Sequence, residues 1–132
     1  MKKLIKLLTI NLPLLIFVIW NVTGIIIFYS PVNFYNLTPG VSSYGSYNIH
    51  FIRDIGLIYL SSGLIGIYGL RIVSAPLCIA AVAWSELHGL FHLHIWSQWS
   101  FPFDRLFLFD LSVVVMPPAI IILTIKIALS KK

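Results

Sequence analysis

The chain has 132 residues, 59% of them hydrophobic and only 10% charged, with a formal net charge of +5. A soluble domain carries about a quarter charged residues, so this composition points to a protein dissolved in a bilayer. The single cysteine, Cys78, excludes an internal disulfide, a CxxC redox pair and a multi-cysteine metal site, and the basic charge sits at the termini with no groove for a nucleic acid.

The first apolar run follows Met1-Lys2-Lys3-Leu4-Ile5-Lys6 and extends from Leu7 to Tyr29. It resembles a signal peptide in its basic start, but a signal core has roughly 7–15 apolar residues and a small-residue cleavage site. This run is longer and has no such site. It spans a hydrocarbon layer of ~30 Å as a retained helix. Asn21 within it is expected to face another helix, and Pro13 marks a local irregularity.

Residues 30–48 form an uncharged connection rich in Pro, Gly, Ser and Asn, which is turn chemistry. Phe34, Tyr35, Tyr44 and Tyr47 suit it to the membrane interface, as an ordinary loop or as a lid over a site at that surface. The second span, about 49–70, carries Gly56, Ser62, Gly63 and Gly66, small residues that let membrane helices approach closely. The third, about 72–93, contains Pro76 in its first turns. A second aromatic connection holds Trp96, Trp99, Phe101 and Phe103. The fourth span, about 106–127, is interrupted by Pro117-Pro118, which should kink it. The fold expected is an all-α, four-transmembrane-helix bundle forming a single domain.

Basic residues set its orientation. With the N-terminus inside, Lys2, Lys3, Lys6, Arg71, Lys126, Lys131 and Lys132 are cytoplasmic, and only Arg53 and Arg105 are not. The positive-inside rule therefore gives N-in/C-in, a multi-pass protein of the cytoplasmic (inner) membrane.

On that topology all four histidines and all four acids fall in the outer half. His50, Arg53 and Asp54 start the second helix; Glu86, His88, His92 and His94 lie in the outer part of the third; Asp104, Arg105 and Asp110 start the fourth. An acid at membrane depth costs on the order of 2–3 kcal/mol and should find a partner, for which Arg53 or Arg105 is the simplest expectation for Asp54 and Asp110. His88 and His92 are i,i+4 and present two imidazoles to one point, the spacing of helical metal sites. Ligands for a transition metal are then His50, His88, His92 and Asp54, with Arg53, Glu86 and Asp110 as a surrounding polar network. Glu86 points away from His88 on a helical wheel. The plainer reading of Arg53, Asp54 and Asp110 is interhelical pairing that fixes packing. Trp84, Trp96 and Trp99 read first as belt residues and packing, and second as walls of a ligand pocket, and Cys78 as a small core residue.

The stretch Asn48-Ile49-His50-Phe51-Ile52-Arg53-Asp54-Ile55-Gly56, followed by His88-x-x-x-His92-Leu93, resembles small bacterial four-helix membrane proteins loosely similar to the DoxX-like group. The resemblance covers the second and third helices and implies a four-helix membrane bundle, with no reaction to carry over. Three classes of function follow. One is a small membrane subunit holding a metal or haem on His50, His88 and His92. Another is a binding or transport module for a lipid-like or quinone-like ligand, or for protons, using Asp54, Glu86 and His88. The third is a structural subunit of a larger membrane complex.

Overall fold

The computed structural model describes residues 2–129, with side chains described over residues 11–127. Lys131 and Lys132, and the side chains of Lys2, Lys3 and Lys6, lie outside that description. The described chain is helical, with no strand in it: α1 (Lys2–Tyr29), α2 (Pro31–Leu37), a short 3-10 turn (Val41–Ser43), α3 (Ile49–Arg71), α4 (Ala75–Gln98), α5 (Arg105–Asp110), a π-helical turn (Leu111–Val115) and α6 (Met116–Leu129). Three segments among the described residues are long and apolar enough to cross a membrane: Asn11–Tyr29, Ile49–Arg71 and Arg105–Ile127. The bundle is turned inside out relative to a soluble protein. Leu15, Ile19, Val22 and Ile26 on α1, Leu57 and Leu64 on α3, and Leu123 on α6 are exposed. Apolar side chains facing outward all round a bundle need lipid around them.

Small residues bring α1 onto α3. A Cβ on Gly24 would lie 2.6 Å from the Gly56 carbonyl, and one on Gly56 would lie 3.0 Å from that of Gly24. The two backbones meet there with no room for a side chain. Asn21 faces Gly63 across the same seam and donates back to the Phe17 carbonyl at 2.8 Å, which satisfies its amide inside the helix. Away from the two aromatic connections the bundle is packed solid by Phe17, Trp20, Cys78, Val82, Ile121 and Ile125.

The connections differ from the sequence expectation in instructive ways. Residues 30–48 are ordered by α2, with Pro31 at its first turn, and by the 3-10 turn. The α3–α4 turn is longer than expected, so α4 begins at Ala75 after the cap residue Ser74, and it continues to Gln98. Both ends adopt the Schellman arrangement: Ser74 N–H reaches the Gly69 carbonyl at 2.8 Å, and Phe101 N–H that of Trp96 at 3.1 Å. The left-handed position that glycine usually fills is taken by Val73 (φ 56°) in one and Ser100 (φ 57°) in the other. Phe101 and Phe103 are left-handed as well.

Pro117-Pro118 does not break the last helix. The chain widens into the π turn just ahead of the prolines, with Met116 N–H reaching back to the Leu111 carbonyl. Wider turns change which carbonyls face the proline rings, and such bulges concentrate at functional sites. Asp110 is the last residue before the widening.

Gly24→Val is expected to destabilise the protein by about 2 kcal/mol through overpacking at the α1–α3 seam. Val73→Gly should shift stability the other way, by about 1 kcal/mol, because it relieves a β-branched residue in the left-handed region. Thermal unfolding in detergent followed by circular dichroism checks both signs.

Candidate functional site

Between the packed half and the aromatic connections lies a cavity of about 530 Å³. Its floor is Tyr59 and Trp84, edge-to-face at 6.2 Å, backed from the core by Trp20, which meets Tyr59 at 6.0 Å. Its sides are mainly apolar, from Ile52 and Ile55 on α3, Phe91 and Ile95 on α4, and Val113 and Val114 on the π turn. Its roof is the 30–48 connection, through Phe34, Tyr35, Val41 and Tyr44.

The roof is held in place by its own chemistry. Tyr35 donates its hydroxyl to the Gly45 carbonyl at 2.7 Å and meets the Tyr47 ring edge-to-face at 5.3 Å. Gly40 takes φ 83° and sits against Leu106 of α5, where a Cβ would come within 2.9 Å of a Leu106 methyl. Only glycine combines that backbone with that approach. Burial, then the Asp110 and Asp104 charges, push the Tyr44 hydroxyl above its usual value, so it stays a neutral phenol at the cavity mouth.

One wall is polar. Asp110 Oδ2 lies 2.8 Å from His92 Nδ1 and accepts from Trp96 Nε1 at 3.0 Å. This pair is buried, with side-chain exposures of 13% for His92 and 5% for Asp110. His88 stacks on Trp84 at 4.8 Å and 15°, and meets His92 edge-to-face at 4.6 Å. His88 and His92 both line the cavity, and neither His88 nitrogen nor His92 Nε2 makes a hydrogen bond among the described residues. His88, His92 and Trp96 fall at i, i+4 and i+8, one stripe along α4, opposed by Asp110 from the start of the last helix.

Some sequence expectations meet here and others do not. His88, His92 and Asp110 converge. His50 and Asp54 pair with each other at 2.8 Å on an exposed surface, at 85% and 50% side-chain exposure. Arg53 turns to α1, donating to the Phe28 carbonyl at 3.3 Å with its guanidinium 5.6 Å from the Phe28 ring. The expected arginine partners of Asp54 and Asp110 are therefore replaced by histidine and tryptophan, because these lie one turn away or on the directly opposed helix. His94 is exposed on α4, and Asp104 caps α5 by accepting from Phe107 N–H at 2.8 Å. Glu86 is away from the cavity, with its Oε2 buried and unbonded among the described residues.

The metal set expected from spacing, His50, His88, His92 and Asp54, is not assembled. No three His, Cys, Asp or Glu side chains among the described residues gather around a point suited to a metal ion. A haem held by His50 and His88 meets the same obstacle, since His50 points into solvent-exposed surface. Trp96 is the residue the sequence reading undervalued: it is 1% exposed and bonded to Asp110, not a belt residue. Its i+4 spacing from His92 was the available signal.

Compared with protein-family models, curated proteins and solved structures, the chain matches none. Its function has to be read from the site itself.

Asp110→Ala strands a buried imidazole and a buried indole N–H together and is expected to cost about 3 kcal/mol. His50→Ala, at an exposed pair, should stay within about 0.5 kcal/mol of the parent. Unfolding midpoints of the two variants in the same detergent test this contrast; equal losses would remove Asp110 from its central place.

Proposed function

We propose that the protein is an inner-membrane binding module for a small apolar molecule carrying one polar group, held in the outer-leaflet half under the 30–48 roof. The observation that carries this reading is the cavity of about 530 Å³, apolar on most sides and polar on the one wall built by His88, His92 and Asp110. Small-molecule sites fall in the range of roughly 300–1,000 Å³ and pair apolar walls with a few fixed polar groups. The roof is aromatic and uncharged, so an amphiphile entering from lipid meets no charge to shed.

The reading includes four spans, N-in/C-in. The fourth is α4, whose 24 residues extend about 36 Å as a helix. Its outward positions Ile79, Leu87 and Leu90 are exposed and apolar, whereas His88 and His92 turn into the bundle. A helix that hides its polar groups from lipid in this way can cross despite a less apolar composition. The same outer half then holds the roof, the cavity and every acid in the chain. The distribution of basic residues supplies the orientation.

Two measurements test the proposal. In a Cys78→Ser background, a single cysteine at Ser46 or Ser100 should react with a membrane-impermeant maleimide applied from outside, and one at Ser74 should not. Labelling of all three sites from the same side would sink the four-span topology. Independently, native mass spectrometry of the purified protein should show a retained apolar molecule that Ile55→Trp displaces without lowering the unfolding midpoint. An empty parent protein that takes up no added amphiphile would overturn the binding reading.

A further inference from the structure

The wall of the cavity carries more information than its polarity. Resting on the binding function proposed above, we infer that His92 presents an Nε2–H donor to the cavity and that the bound molecule is an apolar carbonyl compound, its oxygen accepting from that donor.

The argument is a proton count. Trp96 Nε1 is a donor only, so the Asp110 oxygen it reaches at 3.0 Å is an acceptor towards it. The same oxygen is 2.8 Å from His92 Nδ1. Among the described residues Asp110 has no other ionic partner: Arg53 is engaged with Phe28, Asp54 is paired with His50, and Arg105 and Asp104 are exposed. In a mainly apolar cavity with no cation beside it, a net negative charge on this buried pair is expensive. The His92–Asp110 pair is therefore net neutral.

Two arrangements satisfy neutrality, and both end the same way. In one, an imidazolium donates from Nδ1 to the carboxylate, and its Nε2 also carries hydrogen. In the other, the carboxylic acid donates to Nδ1, and the neutral ring keeps its hydrogen on Nε2. Either way Nε2–H has no partner among the described residues and belongs to a ring lining the cavity. His88 does not take it, because the two rings meet edge-to-face with no hydrogen bond between them. A donor fixed by a buried pair in an apolar cavity asks for an acceptor on an otherwise apolar ligand, and a ketone, ester or quinone carbonyl meets that requirement. Binding alone is inferred, with no transfer of electrons or of the proton.

Undecyl methyl ketone and the alkene with C=CH2 in place of its C=O form a matched probe pair of nearly equal shape. Radioligand binding to the full chain in nanodiscs should show the ketone held about tenfold more tightly, the effect of one hydrogen bond that the alkene cannot make. Isotope-edited infrared spectroscopy should show the bound carbonyl stretch at lower frequency than in lipid. His92→Phe should abolish both the preference and the frequency shift while still binding the alkene. Asp110→Asn should abolish them too: its carboxamide oxygen holds the ring as the Nδ1–H tautomer and leaves a bare lone pair on Nε2. Equal affinities with an unshifted carbonyl in the parent protein would overturn the donor assignment and leave the cavity function intact. Binding of neither probe would overturn both.

Discussion

A buried carboxyl group must be satisfied or it will not stay, and in this protein the half of the bundle under the aromatic connections is arranged around satisfying Asp110. It sits at the last position before the last helix widens into a π turn, which aims it across the bundle at α4. There it finds His92 and Trp96, one helical turn apart, so a single oxygen joins two ring nitrogens from the same stripe. That contact ties the end of α4 to the start of the last helix at the level where the connections cross. Without it two buried ring nitrogens would be orphaned at once, a penalty well above that of a surface ion pair.

The cavity follows from the same constraint. Aromatic rings fill the bundle from Phe17 up to Trp84, and above them the Asp110 junction and Gly40 seated on Leu106 fix the walls and roof of the cavity. The widened turn that accommodates Pro117-Pro118 contributes Val113 and Val114 to one side. Sidestepping two missing backbone donors thus shapes the pocket wall as well as the acid's direction. The roof completes the enclosure through backbone-directed bonds such as that of Tyr35 to Gly45, which need no charge.

Polar residues divide into two populations that look alike in sequence. His50–Asp54 and His88–His92 are both i,i+4 pairs near a helix end, yet the first is an exposed surface pair and the second lines a buried wall. The difference is rotational. His50 and Asp54 lie on the outer face of α3, while the small residues Gly56, Ser62, Gly63 and Gly66 occupy the face turned inward. Once glycines decide which side of α3 meets α1, the histidine and acid on the other face cannot reach the cavity.

Composition pointed to a membrane, with 59% hydrophobic residues and few charges, and the length of the apolar runs, about 20 residues each, pointed to helices, which satisfy their own backbone. The glycine spacing on α3 announced a close helix neighbour, and the clustering of acids and histidines announced a polar region at one end. Trp96 did not stand out as part of it, because the helix it completes was expected to end before residue 96 and instead continues to Gln98. What only tertiary structure decided was who partners whom. The rotation of each helix about its axis is set by packing across the seam, and hydropathy periodicity is nearly silent when every face is apolar. The replacement of arginine by His92 and Trp96 as the companions of Asp110, the ordering of residues 30–48 into a roof, and the enclosed volume beneath it all depend on that rotation.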